Sequence, residues 1–203
     1  MVPNETLMRR LRGLAPGDRA AALDAAGEVA AKELDGAWPL WAHRGQMPPD
    51  DDWTIWVMLA GGGCGKTRAG AEWVSARARA VPEARIALVA ANPDEARRVM
   101  IEGRAGLFAV ARDGEERGRM TWEPSLGRLR LASGAQAFVY SGASADSLRG
   151  PEHHFAWCDE LPKWSQAKDA WDNLMLGLRA GVRPQTVVTT TPRPVPALHA
   201  VLA

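Results

Sequence analysis

The chain has 203 residues, 46% of them hydrophobic, and its 25 basic side chains nearly balance 24 acidic ones, so it can bury an ordinary core with a formal charge of only +1. That balance excludes the overall basic field of a dedicated nucleic-acid binder, although a local arginine stripe is compatible with a neutral total. Two cysteines, Cys64 and Cys158, make neither a disulfide framework nor a metal pattern, and no apolar run suits a membrane span or a signal peptide, which predicts a soluble protein of the cytoplasm.

Residues 4 to 35 are rich in Ala, Leu, Arg and Glu, with Leu7, Leu11 and Leu14 at helical spacing and a break at Pro16 and Gly17. They predict a helix pair, an N-terminal arm over residues 1–37 that packs on the body or docks a partner. Residues 38 to 52 are irregular and read as a loop into the first core strand. Gln46 within it is a candidate reader of an adenine edge, since an amide both donates and accepts; a plain surface glutamine is the competing reading. The run Asp50, Asp51 and Asp52 reads as a solvated cluster rather than a metal site.

The apolar run Trp53–Leu59, the glycine stretch from Ala60 to Thr67 and the helix-like segment Arg68–Arg77 follow one another as strand, loop and helix. This is the layout of a P-loop, in which backbone N–H groups wrap a phosphate chain where no side chain obstructs the approach. Lys66 would then reach the β- and γ-phosphates and Thr67 would ligate Mg²⁺. Position 60 departs from the usual pattern, which has glycine where this chain has Ala60.

Arg85–Ala91 reads as a short buried strand, and Asn92 with Pro93 as a cap before a helix running from Asp94 to about Arg112, broken near Gly103 and Gly106. The repeated strand and helix order predicts a parallel sheet with helices on its faces. Three alternating segments, Met120–Trp122, Arg128–Leu131 and Ala135–Tyr140, read as antiparallel strands inserted in or flanking that sheet. A small-residue loop, Ser141–Gly150, carries one charged arm, Arg149. The run His154–Glu160 is mostly apolar and ends in Asp159 and Glu160. Residues 165 to 179 form an amphipathic helix with Trp164, Trp171, Leu174 and Leu178 as a core stripe. A last strand, Thr186–Thr191, leads into Pro192, and residues 197–203 look like the start of a helix.

A glycine loop gains weight from a second, independent element. A P-loop nucleoside triphosphatase needs a carboxylate at a strand end for Mg²⁺ and a base to orient the attacking water; Asp159 suits the first role and Glu160 the second. Taken alone, such a pair more often caps a helix. Arg149 is a candidate arginine finger for a neighbouring subunit, or an ordinary surface arginine. The hydroxyls of Thr189, Thr190 and Thr191 are candidate γ-phosphate sensors. His153, His154 and most of the nine tryptophans read as structural.

In this order, Gly61–Trp73, Ser147–Gly150, Trp157–Glu160 and Thr189–Pro194 resemble the large terminase subunit of tailed phages and of phage-like gene transfer agents. The resemblance runs from about Trp38 to Pro194. It implies a P-loop NTPase of the ASCE, RecA-like type: an α/β three-layer sandwich with a mostly parallel central sheet and an N-terminal helical arm, its ATPase domain spanning residues 38–196. It implies ATP and Mg²⁺ as cofactors and double-stranded DNA, a portal protein and a small terminase subunit as partners of a homo-oligomeric ring. Together with the residue reading that offers Gln46, it gives expected nucleotide contacts at Gly61, Gly62, Gly63, Cys64, Gly65, Lys66, Thr67, Arg68 and Thr190, the metal on Thr67 and Asp159, and catalysis on Glu160, Lys66 and a trans-acting Arg149. Relatives often have arginine at the position of Gly62, and a complete large terminase continues into a nuclease domain; here residues 197–203 read as the start of a linker, and no DNA cleavage is expected. A nucleotide-binding remnant without motor activity, or a helicase-like P-loop ATPase, are the alternatives.

Overall fold

Near-continuous apolar runs and short alternating ones become two kinds of strand pairing. The computed structural model describes residues 10–11, 13–25, 36–194, 196, 198 and 201, and the chain divides into two compact units, residues 1–47 and 48–203. The second unit holds a sheet of seven strands: β1 (Ile55–Leu59), β2 (Arg85–Ala90), β3 (Thr121–Glu123), β4 (Arg128–Arg130), β5 (Gln136–Ser141), β6 (Phe155–Asp159) and β7 (Gln185–Thr190). Their spatial order is β1-β7-β6-β2-β5-β4-β3. The five from β1 to β5 in that order are parallel, and β4 and β3 add antiparallel pairings at one edge. The segment ending at Tyr140, expected among antiparallel strands, is antiparallel to β4 but parallel to β2, so it closes the parallel core. Alternation reports a half-buried face and not the direction of the neighbour.

In the first unit, helices α1 (Pro16–Ala25) and α2 (Trp38–Trp41) are described. Leu11 and Leu40 are buried there with Ala22 and Ala37 against them, and Arg19 Nη1 donates to the Leu40 carbonyl at 2.6 Å. Leu14 is exposed. Leu7 and residues 26–35, part of the expected helix pair, lie outside the described residues. The loop expected from residue 38 contains α2 and a short 3-10 turn, Arg44–Gln46.

In the second unit, α3 (Lys66–Ala80) lies on one face of the sheet and α6 (Ala167–Gly177) on the other, with the short helices α4 (Pro93–Glu95) and α5 (Gly114–Gly118) between them in sequence. The result is an α/β three-layer arrangement. The helix expected from Asp94 to Arg112 stops sooner: α4 widens into a π-helical turn, Ala96–Ile101, and a 3-10 turn, Leu107–Val110, follows. The glycines explain the stop, since a Cβ on Gly106 would lie 2.8 Å from the carbonyls of Met100 and Ile101. On the α6 face, Ala87, Val89, Ala156, Cys158 and Val188 of the strands pack against Leu148, Leu161, Trp164, Trp171 and Leu174, with Val201 against the same cluster. Among residues 197–203, Leu198 is also buried.

Aromatic rings line the α3 face. Trp73 stands edge-on to Phe155 at 5.8 Å and beside Trp53, which meets Trp56. Trp157 is wholly buried there, and α3 seats on it through a residue without a side chain: a Cβ at Gly70 would lie 2.4 Å from the indole. His153, also buried, shares a hydrogen bond of 3.0 Å with the Tyr140 hydroxyl, and burial pushes its imidazole down to about 4, so it is neutral and structural. Among the described residues, no helix is long and apolar enough to cross a membrane.

Gly70→Ala is therefore expected to destabilise the protein by about 1–2 kcal/mol, overpacking at Trp157 outweighing the helix preference for alanine. Gly62→Ala, whose Cβ meets nothing within 4 Å, is expected to change stability by less than about 0.5 kcal/mol. Urea unfolding of both variants checks the pair; equal stability would contradict the seat.

Candidate functional site

Strand geometry assigns the site's side chains to a face. Successive residues alternate sides, so on β6 Phe155, Trp157 and Asp159 share the α3 face while Ala156 and Cys158 share the other. On β7, Val188 lies in the α6-side cluster, and Thr189 bonds to both Trp157 and Asp159 on the α3 side. The Trp157 Nε1–H donates to Thr189 Oγ1 at 2.8 Å, and that hydroxyl donates to Asp159 Oδ1 at 2.6 Å. An indole N–H can only donate, so the threonine accepts from it and gives its own proton to the nearer acceptor, the carboxylate, with the Cys158 carbonyl at 3.4 Å. Thr191, two residues on, donates its hydroxyl to Glu160 Oε1 at 2.7 Å and its N–H to Oε2 at 3.3 Å. Thr190 bonds locally instead: its hydroxyl donates to the Thr191 carbonyl.

Asp159 is 6% exposed, and burial pushes its carboxyl up to about 6; the Thr189 hydrogen bond opposes the shift, and the charge of Glu160 adds to it. Glu160 leaves the strand at φ 47° and ψ 50°, the sole left-handed non-glycine among the described residues. Such a backbone costs roughly 1–2 kcal/mol. It is pinned by Glu160 N–H to the Thr189 carbonyl at 2.8 Å and by Lys163 N–H to the Glu160 carbonyl at 2.8 Å. Trp164 holds the Asp159 carbonyl through its indole N–H at 3.0 Å, and a Cβ on Gly142 would lie 2.2 Å from that ring. Lys163 Nζ reaches Glu95 Oε1 at 3.0 Å, tying β6 to the turn after β2.

The glycine loop leaves β1 beside these groups. Ala60 N–H donates to the Thr190 carbonyl at 3.2 Å, which extends the β1 and β7 pairing to the first loop residue. Gly63 at φ 81° and Gly65 at φ 72° take the left-handed turns that only glycine adopts cheaply, and Gly65 starts α3. Gly61, Gly62, Gly63 and Cys64 are exposed. A Cβ on any of the three glycines would meet nothing within 4 Å, so the space over the loop is open. Lys66 folds back, its Nζ donating to the carbonyls of Ala60 at 2.7 Å and Gly61 at 2.8 Å.

These residues fit a phosphate chain with a divalent cation. The loop offers open backbone at the N-terminus of a 15-residue helix, where the dipole favours anions. Asp159 has one oxygen engaged by Thr189, and burial holds its carboxyl above the usual carboxylate range. Among the described residues no group of three or more His, Cys, Asp or Glu could hold a metal unaided. Thr67 and Asp159 are the side chains that could hold a divalent cation beside a phosphate chain.

The remaining candidates are spread wider. Arg68 lies on α3 with its guanidinium on buried Glu72 at 2.7 Å. Gln46 belongs to the first unit, where its Oε1 accepts the His43 N–H at 3.1 Å. Arg149 is exposed after the 3-10 turn Ala145–Leu148 that follows β5, and β5 is four strand spacings, about 19 Å, from β1. Sequence reading missed the Trp157 relay, the Gly70 seat and the grip of Thr191 on Glu160. The two-residue period linking Trp157 to Asp159 and Thr189 to Thr191 was the available signal.

Comparison with known proteins follows the same outline. The family described as terminase large subunit, T4-like-virus type, N-terminal, matches residues 57–203. No curated protein sequence matches the chain. Among solved structures, the large terminase ATPase domain of Thermus phage P74-26 is similar at a TM-score of 0.54 and 16% identity, over 76% of this chain and 66% of that one. A large terminase of a thermophilic bacteriophage, solved in complex with ADP, is similar at a TM-score of 0.53 and 16% identity, over 80% of this chain and 38% of that one. The chain thus spans less than two thirds of the length of these structures.

Replacing Asp159 by Asn is expected to stabilise the nucleotide-free protein at pH 7.5 by on the order of 2 kcal/mol, because it removes a buried charge. The sign follows from the raised folded pKa: wild type and variant should be equally stable below about pH 4. The wild type should then fall behind between about pH 4, where Asp159 ionises in the unfolded chain, and about 6, where it ionises in the folded state, with a constant gap above. Thermal unfolding across pH 4 to 8 measures this, and a pH-independent difference would contradict it.

Proposed function

Because the chain belongs to the family of terminase large subunits of the T4-like-virus type, matched to its N-terminal part, we propose that it binds Mg·ATP at the glycine loop and hydrolyses it to drive double-stranded DNA into a procapsid. The observation that carries this reading is the strand order β1-β7-β6. It supports the reading because β7 pairs with β1, from which the glycine loop departs at Ala60, and with β6, which ends at Asp159. A phosphate chain lying over the loop would draw Lys66 from the Ala60 and Gly61 carbonyls, exchanging two neutral acceptors for charged ones. Mg²⁺ held by Thr67 and Asp159 would neutralise charge on the transferring phosphoryl group.

Glu160 orients the attacking water. Both its oxygens rest on Thr191, so the base must turn away from β7 before it can accept a proton from water, and β7 is the element whose movement frees or holds it. Arg149 is exposed in the connection between β5 and β6, where a neighbouring subunit could reach it. It acts in a neighbour's site, which makes the working form a homo-oligomeric ring. That ring works on a portal protein with a small terminase subunit, in the cytoplasm of a bacterial host. A second reading, a nucleotide-binding protein without motor activity, is favoured by Gly62, which leaves the loop with Lys66 as its one cation, and by the engaged state of Glu160.

Phosphate release by the purified protein separates the two readings. Lys66→Ala and Glu160→Gln are each expected to lower Mg-dependent turnover by at least about 100-fold, with Glu160→Gln still binding ATP. Arg149→Ala is expected to bind nucleotide as the wild type does and to lose assembly-dependent turnover. Wild-type turnover no greater than that of Lys66→Ala would leave the second reading standing.

A further inference from the structure

Resting on the ATP-binding reading, we propose that Arg193 is a further phosphate-binding residue of the same subunit, its guanidinium contacting the γ-phosphate from the end of β7. The observation is where the chain goes after Thr191. Thr191 grips Glu160, and Thr190 pairs with Ala60 at the root of the glycine loop. The segment that begins there leaves the sheet between the loop and the carboxylates. Arg193 follows two residues later, at most about 7 Å of extended chain. Pro192 and Pro194 flank it; each fixes its own φ, and neither has an N–H to join a ladder or a helix. They therefore stiffen a short arm next to the site. Arg193 is exposed, and among the described residues it makes no hydrogen bond or ion pair.

Charge balance gives the arm its use. The charged side chains that act on Asp159 are Glu160, Lys163 and Glu95, and Lys163 is matched by Glu95 at 3.0 Å. Arg68 is matched by Glu72. Lys66, the cation of the glycine loop, is then set against Asp159 and Glu160 at the end of β6, and the three side chains sum to one negative charge before a triphosphate arrives. A loop with Gly62 at its tip adds no second cation, and Arg149, in the connection between β5 and β6, is assigned to a neighbour's site. A planar guanidinium able to bridge two phosphate oxygens is the side chain suited to this deficit. Its contact would be with the γ-phosphate and not the β-phosphate, because the arm arises on the Glu160 side, where the attacking water must sit.

The test compares binding of fluorescent ADP and fluorescent ATPγS to the full chain in the presence of Mg²⁺. Wild type is expected to prefer the triphosphate. Arg193→Ala is expected to bind ADP as the wild type does and to lose about ten- to hundredfold in ATPγS affinity, with Arg193→Lys in between and an unchanged unfolding temperature in both variants. Equal loss for both nucleotides, or no loss for either, would overturn the assignment of Arg193. Failure of the wild type to bind either nucleotide would instead overturn the ATP-binding reading on which it rests.

Discussion

Everything at this site depends on one hydroxyl. Thr189 Oγ1 sits between an indole that can only donate and a buried carboxylate at 2.6 Å, the nearer of its two acceptors, the Cys158 carbonyl lying at 3.4 Å. The relay fixes Asp159 as an acceptor, with Oδ1 engaged by Thr189. Burial holds the same carboxyl above the usual carboxylate range, at about 6. The relay also reaches α3: Trp157 is the ring against which Gly70 seats the helix that begins at the glycine loop. Glycine loop and carboxylate are thereby parts of one packed unit.

The neighbouring residue is set up differently. Glu160 pays for its left-handed backbone with bonds to Thr189 and Lys163, and its side chain rests on Thr191 rather than on a buried donor. It is only partly buried, so it can turn where Asp159 cannot. Strand β7 therefore treats the two carboxylates unequally, locking one from Thr189 and latching the other from Thr191. β7 also pairs with β1 up to Ala60, so one strand connects the root of the glycine loop to both carboxylates.

Much of this was legible in the sequence, for physical reasons. A glycine loop between an apolar run and a helix needs few long-range contacts to be recognised, and an acidic pair ending an apolar run has few uses at a parallel strand's end. The parallel core and the antiparallel edge followed from texture. What escaped depended on neighbours distant in the chain. The direction of β5 was set by β2, which local alternation does not record. Thr190 stood beside Thr189 and Thr191 as an equal candidate, yet strand parity turns its hydroxyl to its own chain. Gly70 reads as an ordinary helix glycine until Trp157, 87 positions later, is placed against it. Gln46 carried the right functional group, and the structure shows its amide in a local cap.

The relay is the part of this account on which the rest stands, and a double-mutant cycle measures it. Thr189→Val keeps the shape and removes the hydroxyl, Asp159→Ala removes the acceptor, and the two are combined and unfolded in urea at pH 7.5. If the hydroxyl bridges Trp157 and Asp159, the single effects will fail to add by more than about 1 kcal/mol. Additivity within about 0.3 kcal/mol would contradict the claim that Thr189 organises the site.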